Sequence, residues 1–198
     1  PTMRLITVRH EQTAVYMADG YARSTGKVGV GLVVPGPGVY NAGAALTTAY
    51  AASSQVLLIA GQIPSGGLGK NQGALHEVDE QLDMFRPITK QAITVNVADR
   101  IPELFRHAFR TAMTGKKGPV FIDIPRDLLD GSPIEVDFAT PESYRAHHRS
   151  PGDPALIKRA AELLKNAKRP IIIAGGGVNH SDAAQQVVDI ADLLSAPM

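Results

Sequence analysis

Short β-branched runs alternate along this chain with stretches whose apolar residues recur at helical spacing, and that alternation restricts the fold more than any other feature. The candidate strands are Leu5–Val8, Val28–Val34, Val56–Ala60, Ala92–Val95, Val120–Ile124 and Ile171–Ala174. Between them, Ala14, Met17, Ala18, Tyr21 and Ala22 share one helical face, as do Ala42, Ala45, Leu46 and Ala49, and Ile101, Leu104, Phe105, Ala108 and Phe109. Further stripes run through Leu156, Ile157, Ala160, Ala161 and Leu164, and through Ala184, Val187, Val188 and Ala191. Strands joined by helices lie parallel, because only a long crossover returns the chain to the same end of a sheet. The expected fold class is α/β: a parallel sheet flanked by helices that each bury one face.

Composition narrows the functional classes. At 198 residues and 44% hydrophobic, the chain is large enough for one sizeable core, or for one domain and part of a second. Twenty Lys+Arg face nineteen Asp+Glu without a basic block, so neither nucleic acid nor a membrane surface is an expected partner. The absence of Cys removes disulfides, thiolate nucleophiles and Cys-ligated zinc from consideration within this chain. Apolar runs such as Gly31 to Val34 are strand-sized, well below the roughly 18 residues that span a bilayer. Residues 1–20 lack a signal peptide's basic start and apolar middle, and a cytoplasmic protein is the expectation.

Pro133, Pro141, Pro151 and Pro154 interrupt the periodicity. Residues 131–153 therefore read as a linker between a first domain, 1–130, and the beginning of a second, 154–198, which offers only helix, strand and helix. That second segment is too short for an independent core. A strand starting within a few residues of Pro1 and the ending Ala196-Pro197-Met198 suggest elements interrupted at both termini.

Ligands of open parallel sheets bind beyond the carboxyl ends of the strands. Four such edges carry candidate chemistry: Val8-Arg9-His10-Glu11-Gln12, Val34-Pro35-Gly36-Pro37-Gly38 followed by Asn41, Ala60-Gly61-Gln62, and Asp123-Ile124-Pro125-Arg126-Asp127. Taken singly, an acidic residue in a first helical turn complements the helix dipole, and a Gly-Pro-Gly turn connects strand to helix.

Their combination and order are more specific. Arg9-His10-Glu11-Gln12, Met17-Ala18-Asp19-Gly20-Tyr21-Ala22-Arg23, Gly36-Pro37-Gly38 with Asn41, Gly61-Gln62, and Gly118-Pro119-Val120-Phe121-Ile122-Asp123-Ile124-Pro125 closely resemble the thiamine-diphosphate-dependent enzymes. The resemblance is strongest to the acetolactate-synthase-like branch and extends over nearly the whole chain, residues 1–130 corresponding to the pyrimidine-binding domain and 154–198 to the opening of the central domain. It implies that Glu11 is the activating glutamate, hydrogen-bonded to pyrimidine N1′ so that the cofactor's 4′-amino group becomes the base acting at thiazolium C2. An apolar pocket is expected to raise the carboxyl's pKa for that purpose. Pro35, Gly36 and Asn41 correspond to the segment packed beside the pyrimidine, Gly61 and Gln62 to residues lining the same crevice, and Asp19, Gly20 and Tyr21 to helix packing or a subunit interface.

Some features depart from the pattern. Acetolactate synthases carry Phe-Gln-Glu where this chain reads Leu75-His76-Glu77, so His76 is the candidate substrate-facing acid, base or hydrogen-bond donor. The Gly-Asp-Gly motif that holds the diphosphate's Mg²⁺ is absent here; in the family it belongs to a C-terminal domain of a neighbouring subunit. That implies a homo-oligomer, dimer or tetramer, with the cofactor between subunits. No residue of this chain is expected to ligate metal. Gly175-Gly176-Gly177 lacks the third glycine of the dinucleotide fingerprint, His180 standing in its place, so FAD or ADP on the central domain is not supported.

The expected function is that of a segment of a thiamine-diphosphate-dependent carboligase or decarboxylase acting on a 2-oxo acid, inactive by itself. The alternatives are another thiamine-diphosphate-dependent lyase or hydrolase, and a nucleotide-binding interaction module.

Overall fold

A computed structural model of the chain describes residues 3–131, 133–136, 139–144 and 150–198. The histidine pair His147 and His148, and residues 132, 137, 138, 145, 146 and 149 of the expected linker, lie outside the described residues. The chain divides into two compact units, Pro1–His147 and His148–Met198.

The first unit contains α1 (Glu11–Thr25), β1 (Gly29–Val33), α2 (Pro37–Ala51), β2 (Val56–Gln62), α3 (Gln81–Phe85), β3 (Gln91–Thr94), α4 (Ile101–Met113), β4 (Val120–Pro125), and the short helices α5 (Arg126–Leu129) and α6 (Pro141–Tyr144). Its four strands are all parallel, in the order β1-β2-β4-β3. The register pairs Val33 with Ala60 and Ala60 with Asp123, so β1, β2 and β4 reach their carboxyl ends at the same edge of the sheet.

Period-two alternation sorts each strand's side chains between two helical layers. Val56, Leu58 and Ala60 of β2 and Phe121 of β4 pack with Val15, Ala18 and Ala22 of α1 and Ala42, Ala45, Leu46 and Ala49 of α2. The residues between them, Leu57, Val120, Ile122 and Ile124, pack with Ala108 and Ala112 of α4 on the opposite face. Both central strands are consequently covered on two sides, which is why they read as unbroken apolar runs. Each fully buried Val, Leu, Ile or Phe contributes about 1.5–3 kcal/mol relative to exposure.

Two expected strands are not formed. Residues 3–8 have no ladder partner among the described residues, and Leu5 is 77% exposed. Ile171–Ala174 makes one backbone bond, Ile172 N–H donating to Pro197 O, and Ile173 is 90% exposed. A β-rich sequence is insufficient for a strand when nothing lies alongside to complete its hydrogen bonds.

The second unit comprises α7 (Pro154–Lys165), α8 (Gly176–His180) and α9 (Ala184–Leu194). Asp153 caps α7 by accepting from the Ala155 and Leu156 amides, with Pro154 at the first helical position. The apolar stripes of α7 and α9 correct the expectation of buried faces: Ala191 alone is buried among the described residues of this unit. Three helices and one unpaired extended segment do not provide a layer to cover them.

Helix α1 approaches β1 closely because position 29 has no side chain. A Cβ there would lie 1.9 Å from the Ala18 carbonyl oxygen. At Gly20, in the middle of α1, an added Cβ meets nothing within 4 Å. Gly29→Ala should therefore destabilise the chain by about 1–3 kcal/mol through overpacking, whereas Gly20→Ala should stabilise it by about 0.5–1 kcal/mol through helix propensity. Urea unfolding of the two variants checks both signs.

Candidate functional site

The edge at which β1, β2 and β4 end is built mainly by turns. After β1, Pro35-Gly36-Pro37-Gly38 converts the strand into α2, with Pro37 at the helix start and Gly36 in a positive-φ conformation (φ 60°). Gly36 also lies directly beneath the loop before α3, since a Cβ on it would come within 2.7 Å of the His76 carbonyl oxygen. Glycine is required on both counts.

Glu11, the first residue of α1, is half-buried and reaches the start of α2, where Asn41 Nδ2 donates to its Oε2 at 3.0 Å. The helix begins there because His10 caps it, Nδ1 accepting from the Gln12 amide at 3.2 Å. Gly38 faces the glutamate: a Cβ at that position would lie 3.4 Å from Glu11 Cγ and 3.5 Å from Oε1. The carboxylate thus stands beside bare backbone at the mouth of the crevice.

The electrostatics of Glu11 differ from the expected raised pKa. The Asn41 amide, then the backbone hydrogen bond at its own helix terminus, holds its carboxyl below the usual glutamate range, with His10 adding a smaller effect in the same direction. Partial burial opposes this and is outweighed, because the side chain keeps contact with solvent.

The other expected residues are placed as follows. Pro35 is half-buried and Gly36 fully buried in the turn after β1. His76 is half-buried with φ 67°, its backbone lying over Gly36. Gln62 is buried and turns inward: Oε1 accepts from the Ile63 amide at 2.8 Å, while Nε2 faces Asp123 Oδ2 at 3.5 Å. Gly61 packs on Pro35, whose Cδ would be 3.2 Å from an added Cβ. Asp19 is buried on α1, with Arg23 at 3.7 Å, whereas Tyr21 is exposed.

Two buried polar residues were not assigned from the sequence. Gln81, at the start of α3, accepts from the Gly36 amide at 2.8 Å and donates to the Gly61 carbonyl at 3.1 Å. Asp123, within β4, has its carboxyl pushed above the usual aspartate range by burial, against hydrogen bonding from Thr94, Gln62 and Gln81; its Oδ1 has no partner. The signal for Asp123 was an acidic residue inside an otherwise apolar strand, which is rare unless it is satisfied locally. Nothing local marks Gln81, since its partners lie 45 and 20 residues away.

The family model for the N-terminal TPP binding domain of thiamine pyrophosphate enzymes matches residues 1–84, and that for their central domain matches residues 157–198. The chain belongs to the thiamine pyrophosphate enzyme family. It is 40% identical to a probable acetolactate synthase large subunit of Methanocaldococcus jannaschii, the match covering 98% of this chain and 33% of that protein. The Escherichia coli acetolactate synthase isozyme 3 large subunit is 37% identical, with 98% and 33% covered. A probable 2-ketoarginine decarboxylase of Pseudomonas aeruginosa is 39% identical, with 99% and 34% covered. Among solved structures, a benzoylformate decarboxylase from Polynucleobacter necessarius superposes with a TM-score of 0.84 at 30% identity, covering 95% of this chain and 34% of that one. The chain therefore spans about a third of the length of the relatives it matches. No helix among the described residues of this family member is long and apolar enough to cross a membrane.

The Glu11–Asn41 bond carries a definite pH signature. A carboxyl whose folded pKa lies below its unfolded value adds stability at neutral pH, and that stability is lost as the pH falls through the folded pKa. Asn41→Ala should move the Glu11 pKa up toward the ordinary glutamate value and narrow the acid-side stability difference. An NMR titration of the Glu11 side-chain carboxyl in both proteins reads this directly.

Proposed function

We propose that this chain provides the pyrimidine side of a thiamine-diphosphate site in an acetolactate-synthase-like enzyme acting on 2-oxo acids. The observation that carries this reading is a carboxylate placed by Asn41 beside bare glycine backbone, at the carboxyl edge of a parallel sheet in a member of this family.

These residues suit a planar aminopyrimidine. Glu11 offers an oxygen acceptor to a ring nitrogen, and Gly38, lacking a side chain, lets the glutamate lie against the main chain at the start of α2. When bound, the cofactor would supply the electron sink for breaking the bond next to a 2-oxo carbonyl. Glu11 would hold a proton at the ring nitrogen: an ionised carboxylate is a charge-assisted acceptor and favours a protonated partner. Asn41 would orient it. Gln62, with its amide committed to Ile63 and Asp123, would support the crevice without reaching the ring. His76, over the Gly36 turn, would face the substrate and exchange a proton or donate a hydrogen bond to it. The diphosphate with its Mg²⁺ would be held by protein outside these 198 residues, across a subunit interface in a homo-oligomer. The domain boundaries 1–130 and 154–198, with 131–153 as linker, would then separate the pyrimidine-side domain from the opening of the central domain.

A second reading keeps the cofactor and ends the reaction at decarboxylation. The decarboxylases among the similar proteins, and Leu75-His76 in place of Phe-Gln, favour it.

In the intact protein carrying this segment, Glu11→Gln should leave folding unchanged and lower turnover by about 10²–10⁴-fold, the contribution of a lost acid–base group; turnover near the parent's would refute the role of Glu11. Product analysis with pyruvate separates the reactions, acetolactate supporting carboligation and acetaldehyde decarboxylation. Calorimetric titration with thiamine diphosphate and Mg²⁺, against NAD and FAD, tests the cofactor itself.

A further inference from the structure

We propose that Gln81 is a positioning residue that clamps the turn between β1 and α2 to the end of β2, and through that turn fixes where Asn41 holds Glu11. The proposal deepens the cofactor reading above and rests on it only for its effect on binding; the clamp itself is a property of the protein alone.

The Gln81 side chain is almost fully buried, 1% exposed, at a place where α3 starts abruptly from Glu80 in a left-handed conformation (φ 53°). Its amide reads both polarities of main chain at once. Oε1 accepts from Gly36 N–H at 2.8 Å and Nε2 donates to Gly61 O at 3.1 Å. A primary amide offers an acceptor and a donor on two separate atoms without carrying charge. The two partners are the turn after β1 and the penultimate residue of β2, neighbouring strands in the sheet. Neither bond belongs to the β-ladder, so without Gln81 a buried Gly36 amide and the Gly61 carbonyl would lose a partner that no strand replaces.

The link to the site is short. Gly36 is the residue from which α2 starts, the Tyr40 amide donates back to Gly36 O at 3.1 Å, and Asn41 follows at the next position with its amide on Glu11. Freeing Gly36 lets the first turn of α2 shift, and Asn41 moves with it. The outcome is a misaimed glutamate in an otherwise intact sheet.

The test compares Gln81→Met, which preserves volume and removes both main-chain hydrogen bonds along with the contact to Asp123, with Phe85→Leu, which weakens the core from the same helix and leaves the clamp in place. Both are made in the intact protein and matched for loss of Tm. Hydrogen exchange measured by mass spectrometry over residues 33–42 is the first readout and needs no cofactor. Exchange there should rise on the order of tenfold more in Gln81→Met than in Phe85→Leu, with thiamine diphosphate affinity falling by a similar factor. Equal exchange in the matched pair overturns the clamp. Should Gln81→Met not fold, the parent protein decides: a Gly36 amide exchanging at the rate of an unstructured peptide overturns the proposal, and marked protection supports it. Faster exchange in a protein whose parent shows no thiamine diphosphate binding supports the clamp and rejects the cofactor reading, so the two fail separately.

Discussion

Parallel pairing of β1, β2 and β4 is the constraint on which everything else in the first unit depends. Strands running the same way must end at the same edge, and each must leave that edge by a turn before a helix carries the chain back. The turns at Pro35, Gln62 and Pro125 are thereby gathered in one place without any attraction between them. The energy that holds them there comes from elsewhere, chiefly from β2 and β4 buried between α1 and α2 on one face and α4 on the other. A crevice built this way can carry strained glycine turns and a carboxylate with depressed pKa, because the core below it does not depend on them.

Polar groups at the edge divide according to depth. Glu11 and Asn41 lie near solvent, where the Asn41 and backbone hydrogen bonds hold the carboxyl below the usual glutamate range. Gln81, Gln62 and Asp123 lie below, and burial dominates there, raising the Asp123 pKa and requiring the glutamines to find main-chain partners. The lower layer holds the turns and the upper layer meets whatever enters the crevice.

Much of the architecture was legible in the chain. Strands β1 to β4 stand within two residues of their expected ends, and helices α1, α2 and α4 contain the expected apolar stripes. Leu5–Val8 and Ile171–Ala174 have the same local character and form no ladder, because a strand is a property of a pair of segments. The glutamate and the glycine turns were recognisable from their motifs, and Asn41 from its position after them. The direction of the Glu11 pKa is opposite to the one its motif suggests, since its half-exposed setting and the Asn41 hydrogen bond are properties of the packed helices.

The sequence alone therefore determined the α/β class, the parallel sense of the sheet, the family and which turns carry glycine, all of which depend on periodicity, composition and short motifs read within a few residues. Tertiary structure decided which strands find partners, the charge preference of Glu11 and the role of Gln81. Each of these depends on groups far apart in the chain, 30 residues between Glu11 and Asn41 and 45 between Gly36 and Gln81. Desolvation and hydrogen-bond geometry between such groups exist only once the chain has folded.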